Sequence, residues 1–142
     1  MPPRMYCFPV PGLPPKKGSA TSMWSVDLEA RRVRELRLAA TKAIGDDPPL
    51  RRSITLRMWV YVHENTKQVG DLDTFVAGVC DGLMAAPAEA PLAPVLNDLG
   101  EGRANPARKL AIEDDFEVVR IEAEKIVDPE TVPRFEIELW GE

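Results

Sequence analysis

Histidine is almost absent: His63 is the only one in 142 residues, which excludes a metal centre built from several imidazoles. Cysteine is nearly as scarce. Cys7 and Cys80 form no C-x-x-C pair, and two thiols make neither a disulfide framework nor a zinc cage. No apolar run approaches the roughly 20 residues that a membrane helix needs, so no membrane partner is expected. The opening stretch MPPRMYCFPVPGLPPKKG is broken by prolines and lacks the apolar centre of a signal peptide. The resulting expectation is a cytoplasmic protein.

What is present is ordinary in bulk and uneven in distribution. Hydrophobic residues make up 44% and charged residues 29% of the chain, the composition of a globular protein. The length suits one domain, residues 1–142, with a single sizeable core. The net charge of −5 argues against indiscriminate binding to nucleic acid. Residues 1–69, however, hold 12 basic against 6 acidic residues, a balance of +6, and residues 70–142 hold 6 against 17, a balance of −11. Such asymmetry fits a basic surface facing a polyanion, or two faces that neutralise each other on folding.

The pattern of elements predicts an α+β domain, a mixed β-sheet with helices packed on one face in the order β-α-β-α-β-β. Residues 5–10 read as a short strand at a sheet edge, because Pro9 has no N–H for a ladder. A helix is expected from an N-cap at Ser25 to about Ile44, with Gly45 as its C-cap. Its buried side is marked by Val26, Ala30, Val33, Leu36 or Arg37, Ala40 and Ile44, and Arg31, Arg32, Arg34 and Arg37 read as a solvated face. Residues 53–63 alternate as a long strand, with Ile54, Leu56, Met58, Val60 and Val62 on one side and Arg57, Trp59, Tyr61 and His63 on the other. His63 reads as a rim residue. A second helix follows Asp71, with Leu72, Phe75, Val76, Val79, Cys80 and Leu83 at spacings of three and four. Residues 85–110, rich in proline, alanine and glycine, form a long insert or flap near the candidate site. Residues 117–127 and 134–140 read as strands joined by DPETVP into a hairpin.

The chemistry concentrates in acidic residues. Asp71 stands where an N-cap belongs and Asp73 falls in the first turn, where the helix dipole favours anions. Alone, the pair reads as capping. A second cluster, Glu113, Asp114 and Asp115, precedes a strand. Bringing Asp71, Asp73 and Asp115 together would be costly through like-charge repulsion unless a divalent cation lay between them. Carboxylate oxygens without Cys or His suit Mg2+ or Mn2+, and such an ion can activate water and stabilise charge building on a phosphate. Lys16, Lys17, Arg51 and Arg52, in loops beside helix and strand ends, are candidate DNA phosphate contacts, although ordinary solvated loop charges explain them as well.

GDLDTFVAGVCDGL followed by EDDFEVVRIEAEKI resembles the RusA-type Holliday junction resolvases. Asp71, Leu72 and Asp73 match the family's helix start, Asp81 its helix-end aspartate, and Asp114 and Asp115 its paired aspartates. Val118 and Val119 match the strand start and Lys125 its terminal lysine, while PGLPPKKG is similar to the Pro/Lys loop after the first strand. The resemblance implies a homodimeric, magnesium-dependent endonuclease that resolves four-way DNA junctions by paired nicking in recombination and repair. Asp71, Asp73 and Asp115 would then be the metal-binding catalytic carboxylates, with Thr74, Asp81 and Asp114 in support and Lys125 on the DNA. Trp59 and Tyr61 are candidate dimer contacts. The chain departs from the pattern at Thr74, where the family has Asn, at Ala77, where it has lysine, and in the long 85–110 connection. Lys67, Lys109 or Arg108 could replace the missing charge from a loop, Lys67 also as a DNA contact. The alternatives are a weak or inactive relative that binds branched DNA or a protein, and an unrelated α+β domain whose acids are caps and surface charges.

Overall fold

A computed structural model of the chain describes residues 2–18, 22–64 and 70–142. Its centre is the strand with the cleanest alternation. Ile54, Leu56, Met58, Val60 and Val62 are all buried and the residues between them half-buried. Each buried side chain contributes about 2 kcal/mol, and a slip of one residue would turn all five to water. This strand, here β2 (Ile54–Val62), lies inside a four-stranded mixed sheet. It pairs in parallel with β3 (Val118–Val127) and antiparallel with β4 (Arg134–Gly141). On the far side of β4 lies β1 (Arg4–Pro11), at a sheet edge as its prolines require.

The expected hairpin between the last two strands does not form. β4 enters between β1 and β2, and β3 takes the opposite edge. Their connection passes the end of β2, where the Asp128 N–H donates to the Val62 carbonyl at 3.0 Å. Composition explains the arrangement. β4 alternates Phe135, Ile137 and Leu139, all buried, so it needs a neighbour on each side. β3 carries Arg120, Glu122, Glu124 and Lys125, the charges that protect an exposed edge.

The helix expected from Ser25 is broken. A single turn, α1 (Ser22–Ser25), ends where Val26 turns extended (φ −84°, ψ 125°), and α2 (Asp27–Ile44) starts after it. The Ser25 hydroxyl donates to the Pro91 carbonyl rather than capping α2. The other end follows expectation: Gly45 adopts φ 61° and its N–H donates to Thr41 O at 3.0 Å. α2 and α3 (Leu72–Gly82) cover the buried face of the sheet. The other face is held by charge, with the Arg57 guanidinium 2.8 Å from Glu122 and 3.1 Å from Glu138, its register partners on either side. Trp59 and Tyr61 lie on this face, half-buried, and Arg134 stacks 4.0 Å over the Tyr61 ring.

Residues 85–110 are a packed insert rather than a flap. A 3-10 segment, Pro94–Leu99, buries Leu96 and Leu99, and with Ala93 and Ala104 they form a second small core against Met23, Trp24, Ala30 and Val33. Arg37 holds this insert, taking the buried side that its register allowed rather than the solvated face that its charge suggested. It is fully buried with no carboxylate beside it, and its guanidinium donates to five carbonyls. Gly82 O (2.8 Å) and Met84 O (2.7 Å) lie at the end of α3, while Ala104 O (2.9 Å), Asn105 O (2.6 Å) and Arg108 O (2.7 Å) lie in the insert. Burial lowers the group to about 10, which leaves it charged at neutral pH. All five of its N–H groups are used, and only a planar fork can supply them. Replacement by methionine would strand those carbonyls in a dry interior. Arg37→Met is therefore expected to cost about 3–5 kcal/mol in urea unfolding. Arg37→Lys should recover only part of it, and a lysine variant as stable as the wild type would overturn the fork assignment.

Candidate functional site

β3 overhangs the helix layer, and that overhang makes a groove. Its core-parity residues Ile121 and Ala123 align with Leu56 and Met58, yet Ile121 stays 50% exposed. The groove between α3 and β3 encloses about 540 Å3. Two adjacent i, i+4 rows of α3 face it. Leu72, Val76 and Cys80 supply an apolar floor, and Asp73, Ala77 and Asp81 the acidic rim; Val118, Ile121 and Ala123 line the β3 side, with Asp115 and Lys17 completing the lining.

Asp115 reaches this groove through a chain of backbone contacts. The N–H groups of Leu110, Ala111 and Ile112 all donate to Leu83 O, at 3.1, 3.0 and 3.3 Å, and Glu113 N–H donates to Leu50 O at 2.9 Å. Residues 113–115 are thereby set beside the C-terminal end of α3. Asp114 is used as a cap, accepting from Phe116 N–H at 3.0 Å in the 3-10 turn Asp115–Glu117, whereas Asp115 opens to the groove. At the opposite end of β3, Lys125 Nζ donates to Gly70 O at 2.6 Å, tying the strand to the residue before Asp71.

Asp71 takes the N-cap position of α3 (φ −93°, ψ 149°), but its carboxylate makes no capping hydrogen bond. The Thr74 hydroxyl instead donates back to Asp71 O at 2.9 Å, and Asp73 Oδ1 accepts from Thr74 N–H at 2.9 Å. Capping therefore does not account for the Asp71 carboxylate. It faces an adjoining hollow of about 450 Å3, lined also by Lys16, Lys17, Glu29 and Thr74.

The expected trio is thus divided. Asp73 and Asp115 share the groove with Asp81, and Asp71 lines the neighbouring hollow. Asp73 and Asp81 are separated by two helical turns, about 12 Å along the axis. Among the described residues no three His, Cys, Asp or Glu side chains gather as a metal-ligand group. The donors suit magnesium in kind, and that ion keeps several waters and binds through one or two carboxylates. The groove carboxylates offer it oxygen donors of the right kind, while among the described residues Asp71, Asp73 and Asp115 form no three-carboxylate group.

The cations also redistribute. Lys17 enters the groove with Nζ 3.2 Å from Asp81 Oδ2. Lys109 is engaged by Glu113 at 3.3 Å, and neither it nor Arg108 lines the groove. Lys67 falls outside the described residues. Arg51 and Arg52 line a different hollow with Arg4 and Glu142, and no residue of the 85–110 insert lines the groove. Cys80, at the groove floor, is pushed up to about 12 by burial and then by the nearby Asp115 and Asp81, against the opposing pull of Lys17. This thiol is inert at neutral pH.

The sequence reading gave Gly78 no role. A Cβ there would stand 1.9 Å from Pro15 O, so the glycine lets the buried Leu13–Pro14–Pro15 segment lie directly on α3. An unexplained glycine inside an apolar helical repeat was the available signal. No protein-family model matches the chain, and no curated protein matches it. An alanine for a glycine in a helix interior ordinarily adds about 1 kcal/mol. Gly78→Ala is expected to reverse that sign and lower the melting temperature, because backbone must move to admit the methyl group. A stabilised variant would show that the loop is not seated on α3.

Proposed function

We propose that the chain is a structure-selective DNA endonuclease of the RusA type, which hydrolyses phosphodiester bonds in branched DNA such as a four-way junction. The observation that carries this reading is the groove, lined by Asp73 and Asp81 of α3, by Asp115 from the turn before β3 and by Lys17 from the loop after β1. Asp73 and Asp115 are the candidate catalytic and metal-binding carboxylates in the groove, and Asp71 borders it. A bound magnesium or manganese ion would supply an activated water and offset charge building on the phosphate. The protein's own contribution is to fix the carboxylates on rigid elements and to present an open groove to the DNA backbone.

Two such grooves on a homodimer would match the approximate two-fold symmetry of a junction. The uncovered sheet face supports this pairing. Beside Trp59 and Tyr61 it carries Met5 and Trp140, paired across β1 and β4 and 61% and 49% exposed. A second reading, a weak or inactive relative that binds branched DNA or a protein, draws on the division of the three carboxylates.

Incubation of a synthetic four-way junction with the protein and magnesium tests the proposal. The wild type should nick it at paired positions, and Asp73→Asn and Asp115→Asn should each lower the rate by at least about a hundredfold while retaining DNA binding. Wild-type rates in both variants would refute the site. Binding without cleavage by the wild type would establish the second reading. Sedimentation without DNA should give a dimer, and a monomer at every concentration would leave paired nicking without a basis.

A further inference from the structure

We propose that Lys17, delivered from the loop after β1, is the phosphate-binding cation of the groove and occupies the space that the small side chain of Ala77 leaves on α3. The inference deepens the nuclease reading and rests on it for the chemistry, though not for the phosphate contact.

The loop has little freedom. Leu13, Pro14 and Pro15 are buried, Gly78 admits the Pro15 carbonyl against the helix, and Lys16 N–H donates to Glu29 Oε1 at 3.1 Å. Lys17 N–H donates to Thr74 O at 3.3 Å, and the side chain ends 3.2 Å from Asp81. Residues 74, 77, 78 and 81 share one helical face, so Ala77 lies between the two anchor points. Lys17 is thus held at its backbone beside Thr74 and at its ammonium beside Asp81, and it lines the groove together with Ala77, where a larger residue at 77 would compete with the stem.

Lys17 is the sole cation among the groove-lining residues, against three carboxylates. The Lys17 side chain is 44% exposed and that of Asp81 22%, so the pair is partly hydrated and contributes little. That is weak enough for a DNA phosphate to displace Asp81. Asp81 lies in the last turn of α3, beside the Leu83 carbonyl that anchors the segment leading to Asp115, so the ion pair with Asp81 places the lysine at the Asp115 end of the groove. There a cation would offset charge developing on a phosphate oxygen during hydrolysis, an interaction stronger in the transition state than in the ground state.

The test compares wild type, Lys17→Ala, and the double variant Lys17→Ala/Ala77→Lys, with matched thermal melts as the check on folding. On a four-way junction with magnesium, Lys17→Ala should cleave about a hundredfold more slowly, and the double variant should recover most of that loss by supplying an ammonium from position 77. In EDTA, where only binding is read, the slope of log affinity against log salt should fall by about 0.9 in Lys17→Ala and return in the double variant. Cleavage at the wild-type rate by Lys17→Ala, or an unchanged slope, would overturn the assignment. Slow cleavage that Ala77→Lys does not rescue would overturn the shared position. A wild type that leaves the junction intact while Lys17→Ala still lowers the slope would refute the nuclease reading and uphold Lys17 as a phosphate ligand.

Discussion

The Arg37 guanidinium is the contact on which the placement of the site depends. A buried charge is costly unless every donor finds a partner, and here the partners are backbone carbonyls from two regions, the end of α3 and the insert. Carbonyl dipoles have no competing ionisation and cannot rotate away as a carboxylate side chain can. The result is a fixed junction between α2, α3 and residues 104–108. From there the chain runs directly into Leu110–Ile112, which bond to Leu83 O, and then into Asp115. Without the arginine, the insert would keep its small core against α1 and α2 but lose its tie to the end of α3, and the segment that presents Asp115 would lose one of its supports.

The groove itself follows from a mismatch between layers. The sheet has four strands, while α2 and α3 cover the core parity of β1, β4 and β2 more fully than that of β3. An edge strand left uncovered on its inner face exposes Ile121 and Val127, the register partners of buried Leu56 and Val62, at 50% and 45%. Protecting charges along β3 discourage pairing with another sheet edge, but they do not fill the space beside α3. A ligand-sized concavity therefore exists because the core stops one strand short. Its polar groups arrive from three directions: the start and end of α3, the turn before β3, and the loop after β1.

Local patterns were legible in the sequence, and arrangements between distant segments were less so. The parity of β2, the apolar stripe of α3 and the Gly45 cap each depend on a few neighbouring residues, and each appears where its pattern placed it. The hairpin expectation failed because adjacency in sequence was weighed above composition. The uninterrupted alternation of Phe135, Ile137 and Leu139 signals an inner strand, and the charges of β3 an edge. Helical register with Val33, Ala40 and Ile44, all buried, admits Arg37 as well as Leu36 to the buried side, while residue type argues for a solvated face; the structure buries both. Asp73, Asp81 and Asp115 were readable as candidates from their positions at element ends, but the separation of Asp71 depends on the direction its carboxylate takes, which spacing does not determine. Lys17 was visible only as a loop charge. Its entry to the groove depends on the loop lying on Gly78, a small residue whose meaning appears once the loop is seated on the helix, and the proposed role of Ala77 follows from the same seating.

Charge balance links the two halves of the proposed chemistry. Three carboxylates and one ammonium line the groove, a formal surplus of two negative charges. A DNA phosphate approaching that surface is repelled, and the lysine can offset only part of the surplus. A divalent cation cancels the remainder, so on the proposed reading cation and DNA should each favour the other's binding, as reciprocal linkage requires. The basic excess in residues 1–69 belongs to the same balance. Lys17 lines the groove and, with Lys16, its adjoining hollow, whereas Arg51 and Arg52 lie at a separate one; on the proposed reading the two lysines would draw a DNA backbone toward a centre that by itself repels it. On the proposed reading, such a division would favour a bent or branched duplex over any duplex, because only a backbone able to turn into the groove would gain both the peripheral cations and a bound ion. A surface uniformly basic to its centre would hold linear DNA equally well, whereas this acidic centre penalises a phosphate that enters without the ion.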